Sequence, residues 1–199
     1  MDQTQYIFLD VKTVQRLIAE KEKHDKYRTD ELSVAIFLLK FCEKIWKVEC
    51  ALGFPLKNSQ AASIPLTSSS DLKEIKDILS AKIEEAHDVD VLVVKHTPAN
   101  SKRTGQAFQI KRFGTHRKDL TTDALIQYIQ GLSYAKTDTA LVILLETGEP
   151  TKFTQIRDAL DFEKFPFSAL YLVGLYGETL KFIEVWPNLG KEELKWSSV

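Results

Sequence analysis

Asp88-Val89-Asp90-Val91-Leu92-Val93-Val94 and, after a turn, Ala107-Phe108-Gln109-Ile110-Lys111-Arg112-Phe113 are the two stretches on which the architecture turns. Both read with a period of two or as short apolar runs, the pattern of strands. Between them Thr97-Pro98-Ala99-Asn100-Ser101 is a turn-forming cluster. An antiparallel hairpin centred between Ala99 and Asn100 pairs residues whose numbers sum to 199. Asp90 then falls opposite Gln109, and Asp88 opposite Lys111, with Cβ atoms roughly 5 Å apart. Alternation puts all four polar groups on one face and Val89, Val91, Phe108 and Ile110 on the other, as core material. A bulge at Gly105 would shift this register by one residue.

Upstream, Asp10 caps a first helix with Val11, Val14, Leu17 and Ile18 on one face, running into the charged stretch Glu20–Lys26. Thr29 or Asp30 caps a longer second helix reaching about Leu52, ended by Gly53 and Pro55. Its apolar stripe is Val34, Phe37, Leu38, Phe41, Ile45, Val48 and Leu52. Residues 57–70 read as a loop, and Ser70 or Asp71 caps a third helix over Leu72–Ala86. After the hairpin, Thr121 or Thr122 caps a helix through Leu125, Ile126, Ile129 and Leu132. Ala140–Leu145 is a buried central strand, Phe153–Phe162 a short helix, and Ala169–Leu175 with Thr179–Trp186 a closing hairpin. The order gives an α/β or α+β domain with a mixed central sheet flanked by helices, behind an N-terminal helical segment. No Pro/Gly linker divides it, so 1–199 reads as one domain, mostly helical over 1–86 and sheet core over 87–199.

Composition narrows the function classes. The 199 residues are 44% hydrophobic and 28% charged, which excludes disordered and low-complexity classes. With 27 Lys+Arg against 28 Asp+Glu the net charge of -1 selects no partner. The longest apolar runs, Val34–Leu39 and Ala140–Leu145, fall far short of the ~20 residues of a membrane helix. Met1-Asp2-Gln3-Thr4-Gln5 lacks the pattern of a signal peptide. Cys42 and Cys50, placed on one helix more than two turns apart, could not bridge, which points to a reducing, cytoplasmic home.

Carboxylates beside a lysine at a sheet edge suit a hard divalent cation, Mg²⁺ or Mn²⁺, which keeps waters and accepts phosphate oxygens. Lys111 would orient a water or stabilise developing charge, and the Gln109 amide would be a neutral ligand. Charge agrees with this. From Val91 to Lys118 there is no Asp or Glu, and seven Lys or Arg: Lys95, Lys102, Arg103, Lys111, Arg112, Arg117 and Lys118. Such a stretch suits phosphate, which fixes position without reading sequence.

The two strands resemble the PD-(D/E)XK nuclease superfamily, with its restriction-endonuclease-like fold. The family places an acidic residue at the start of one strand and (D/E)xK on the next, with a further acidic residue from a preceding helix. Gln109-Ile110-Lys111 is a QxK variant of the second element. The run Gln109–Phe113 is similar to the Mrr-type restriction endonucleases, and Gln130-Gly131-Leu132-Ser133-Tyr134 to the QxxxY element of RecB-like members. The resemblance implies Asp90, with Asp88 second, as metal ligand beside Gln109. It implies Lys111 as the catalytic lysine and Gln130 and Tyr134 as auxiliary residues. It also implies a homodimer or larger nuclease assembly. Two departures stand out: Gln109 replaces a charged ligand, and Val89 stands where the superfamily has a proline before the aspartate. At 100° per residue Glu31 and Glu49 lie about 60° from the centre of the apolar stripe, and Glu43 about 180° from it, toward water. Glu31 and Glu49 are therefore the candidates for the helical acid, with Glu74, Glu84 and Glu85 as rivals on the third helix.

The plainer readings are a solvated strand face with cross-strand charge pairs, a solvated basic run, a helix-surface Gln130 and a packing Tyr134. Two functions fit the sequence. The first is a metal-dependent endonuclease hydrolysing phosphodiester bonds, of DNA before RNA, with Lys102, Arg103, Arg112, Arg117 and Lys118 on the nucleic acid. The second is a non-catalytic module of the same fold that binds nucleic acid or protein.

Overall fold

The computed structural model describes residues 5–9, 11–21, 26–56, 89–95, 104–114, 120–145, 152–176, 179–188 and 190–195. The chain divides into two compact units, Met1–Ala107 and Phe108–Val199. The class is α/β, with eight strands and four helices among the described residues.

In the first unit β1 (Gln5–Leu9) leads into α1 (Val11–Lys21) and α2 (Lys26–Trp46), then β2 (Cys50–Leu56) and β3 (Val91–Lys95). On α1, Val14, Leu17 and Ile18 are buried, as the 3.6-residue period predicts. Helix α2 begins at Lys26, ahead of the expected caps Thr29 and Asp30. Every residue from Leu32 to Leu39 is buried, so over those two turns α2 is covered on all sides rather than along one stripe. The helix does not reach Leu52. It stops at Trp46, and Lys47 takes a left-handed backbone (φ 55). The Lys47 N–H donates to the Glu43 carbonyl at 2.8 Å. Ile45 and Val48, assigned to the stripe, are 52% and 40% exposed.

The segment after Lys47 is a strand because it has partners on both sides. β2 runs antiparallel to β1, Leu9 opposite Leu52, and antiparallel to β3, Cys50 opposite Lys95 and Gly53 opposite Leu92. Gly53 marks a close approach, not a helix stop: a Cβ there would lie 2.8 Å from the Phe8 ring. Pro55 pairs with Tyr6 on β1, beyond the stretch where β2 pairs with β3, so its missing N–H costs that ladder nothing. Two strands therefore interrupt the region expected to be mostly helical. The third helix expected over 72–86 lies outside the described residues.

Strand β4 (Gly105–Phe113) begins in the first unit and continues into the second. There β4, β5 (Ala140–Leu145) and β6 (Ala169–Tyr176) run parallel, and β7 (Thr179–Trp186) and β8 (Gly190–Lys195) continue antiparallel. The sheet of this unit is thus mixed. Helix α3 (Thr122–Gln130) connects β4 to β5, and α4 (Phe153–Ala159) connects β5 to β6. Thr121 caps α3, its hydroxyl accepting the Ala124 N–H at 3.3 Å. All six residues of β5 are buried, as befits a parallel strand covered on both faces. Leu125, Ile126 and Ile129 of α3 and Ile156 of α4 pack with Leu141, Ile143, Leu145, Leu170 and Leu172 into one core.

Candidate functional site

The described end of the β3–β4 hairpin has the register read from the sequence. The Lys95 N–H donates to the Thr104 carbonyl at 2.9 Å, and these numbers sum to 199. Gly105 is required there, since a Cβ would overlap the Val93 carbonyl oxygen. Asp90 is half-buried and sits one residue before β3 begins, so it precedes the strand rather than lying within it.

Gln109, Lys111 and Phe113 share one face of β4. Their partners on β5 are Leu141, Ile143 and Leu145, which face the core built with α3 and α4. The polar face expected toward solvent is therefore buried at Gln109. Gln109 is only 2% exposed, and its Oε1 has no hydrogen-bond partner among the described residues. Buried amide oxygens are nearly always paired, so this atom calls for a reason. Two residues on, Lys111 is half-buried and its ammonium lies 5.8 Å from the centroid of the Tyr134 ring. Tyr134 in turn packs on Phe167, ring centroids 5.1 Å apart. Gln130 does not join them: it is exposed, and its Nε2 donates to the Ala159 carbonyl at 3.2 Å, tying α3 to the end of α4.

The glutamates separate. Glu49 is not on a helix; it is exposed in the short turn from α2 to β2, next to Cys50. Cys50 pairs with Lys95, at the far end of β3 from Asp90. Five residues of strand, about 16 Å, therefore separate the level of Glu49 from that of Asp90. Glu31 lies near the start of α2, well before Glu43. Twelve residues of helix put about 18 Å of axis between those two positions. Of the two candidates, Glu31 alone is removed from the Lys95 end. Glu43, assigned to water by the helical wheel, is half-buried because β2 returns beside it. Its carboxylate accepts the Lys40 ammonium at 3.0 Å and the Cys50 N–H at 3.2 Å. It lines a cleft with Leu9, Leu39, Lys40, Lys47 and Cys50 that the sequence did not reveal.

Cys42 and Cys50 lie on α2 and β2, not on one helix, and both are free thiols. Burial pushes the Cys42 thiol far up, with Cys50 and Glu43 adding to the effect. Burial and then Glu43 raise Cys50, against the lowering pull of Lys95. Neither is poised as a thiolate.

Within the basic run, Lys95 lies 4.9 Å over the Trp46 ring. Arg112 is half-buried on the face of β4 opposite Lys111. Asp88, Lys102, Arg103, Arg117, Lys118, Glu74, Glu84 and Glu85 lie outside the described residues. Among the described residues no group of three or more His, Cys, Asp or Glu could hold a metal ion. No helix among them is long and apolar enough to cross a membrane. The chain matches no family model, no curated protein and no solved structure. Its own residues carry the functional reading.

Proposed function

We propose that the chain is a metal-dependent nuclease of the PD-(D/E)XK type in its QxK form, hydrolysing phosphodiester bonds in DNA. The observation that carries this reading is Gln109: a deeply buried amide oxygen with no partner among the described residues, two positions before Lys111 on one strand face. An oxygen held unpaired in an apolar setting fits a ligand for a hard cation. The element order supports it: α2, the hairpin arms β3 and β4, helix α3, then β5 parallel to β4.

In this reading the resemblance gives the role of charged ligand to Asp90 and of helical acid to Glu31, both in the first unit, and Gln109 Oε1 of the second unit would be a neutral ligand. Held by Gln109 Oε1, a divalent cation would supply an acidified water and would offset charge on the scissile phosphate. Lys111 stabilises the charge that builds on the phosphate oxygens and orients the attacking water. Lys95 and Arg112, with the basic residues around them in sequence, hold the backbone of the nucleic acid. The two free thiols fit a reducing, cytoplasmic setting.

One observation favours the second reading, a non-catalytic binding module. The ligand at position 109 is neutral, and the described residues offer no cluster of three acidic or imidazole groups. Incubation with single- and double-stranded DNA and RNA in Mg²⁺, Mn²⁺ or EDTA, beside Asp90→Ala, decides between them. Metal-dependent cleavage lost in the variant supports the nuclease. Absence of cleavage by the folded protein on every substrate supports the module.

A further inference from the structure

We propose that Tyr134 is a positioning residue for Lys111, acting through the face of its ring and not through its hydroxyl. The inference rests on the nuclease reading for what the ammonium does; the contact itself stands apart from it. A lysine carries its charge on a flexible four-carbon stem, so a charge needed at one point must be held there. The Lys111 ammonium lies 5.8 Å from the Tyr134 centroid. That is within the ~6 Å reach at which a ring quadrupole attracts a cation.

The ring can serve as a platform because it is itself fixed. Phe167 packs against it at 5.1 Å, tilted 58°, and Phe165 packs on Phe167 at 5.6 Å. The chain that follows it is laced to the same segment. Thr137 N–H donates to the Pro166 carbonyl at 2.8 Å, Ser168 N–H to the Thr139 carbonyl at 2.9 Å, and the Ser168 hydroxyl to the Asp138 carbonyl at 2.9 Å. Residues 137–139 are thus pinned to residues 166–168, and the Tyr134 ring rests on Phe167 within that segment. The plainer alternative is that Tyr134 only fills space beside the core. Filling space needs bulk; holding an ammonium needs an aromatic face.

The test uses the full chain and lysine Hε resonances in NMR, with the Lys111 signals assigned by their loss in Lys111→Arg. The ring above them shifts these signals upfield. Tyr134→Phe keeps the shift, and Tyr134→Leu, which retains apolar bulk, abolishes it. In DNA cleavage with Mn²⁺, Tyr134→Leu lowers kcat by roughly two- to five-fold with KM unchanged, the size of a surface cation–π contact. Tyr134→Phe restores the rate. Lys111 signals unmoved in Tyr134→Leu, or lost in Tyr134→Phe, overturn the proposal. Should Tyr134→Leu not fold, Lys111→Met reports from the other side: Tyr134 ring signals that do not move in that variant overturn it equally. If the NMR signature holds while Lys111→Ala leaves DNA cleavage unchanged, the contact survives and the nuclease reading falls, which separates the two failures.

Discussion

Among single residues, Gln109 is an energetic oddity of the second unit. A buried carbonyl oxygen left unpaired costs about 1–3 kcal/mol. Gln109→Met keeps the shape and removes that polar atom, so it should raise stability by about 1 kcal/mol in urea unfolding. The same variant should weaken Mn²⁺ binding. A loss of stability instead would show that the amide is bonded in the folded protein and is there for packing. Cys42 makes a second prediction of this kind. Burial raises its thiol from the ordinary value of 9.0, so the folded state holds its proton where the unfolded state does not. Its stabilising contribution is complete below pH 9 and is lost as pH rises through the folded value. Stability should therefore fall as pH climbs above 9, and Cys42→Ala should flatten that fall between pH 9 and 10. Tyr6, also raised by burial, adds its own decline above pH 10. Denaturation midpoints at pH 8, 9 and 10 for both proteins check this; identical slopes would count against it.

Among the elements, the join between α2 and β2 shows what the sequence holds and what it hides. The apolar spacing of Ile45, Val48 and Leu52 continues the helical period unbroken, yet the chain leaves the helix at Lys47 and pairs with β1 and β3. Tertiary pairing overrides local pattern there, and only partners distant in sequence could reveal it. The same holds for β1 and β8. The five residues of β1 are too few to declare a period, and Gly190–Lys195 is too charged to read as a strand. By contrast β5, α3 and the β6–β7 hairpin were legible, because an unbroken apolar run, a threonine cap and alternation each state their element locally. Of the strands that carry the candidate site, the register near the turn was legible; the burial of Gln109 was not. A glutamine alternating with apolar residues reads as solvent-facing, and its neighbour Leu141 on β5, with the core that Leu141 joins, comes later in the chain. Lys47 holds a left-handed backbone without being glycine. That conformation carries a strain of about 1 kcal/mol. Lys47→Gly should relieve it and raise the urea midpoint by a corresponding amount. A lowered midpoint would mean that the lysine side chain holds this end of α2.

Over the whole molecule, a net charge of -1 coexists with a stretch of seven basic residues and no acid between Val91 and Lys118. If that stretch grips phosphates, DNA affinity should fall steeply with salt, and Lys102→Ala with Arg103→Ala should flatten the slope by about two ions. The proposed mechanism divides the labour: Lys111 on β4 does chemistry on a phosphodiester that the basic stretch merely holds. Lys111→Ala, assayed in parallel for duplex DNA cleavage in Mn²⁺ and for DNA binding, separates the two roles. Cleavage should drop by about a hundred-fold or more with binding nearly unchanged. Cleavage at the parent rate, or loss of binding with no cleavage in either protein, would refute that division.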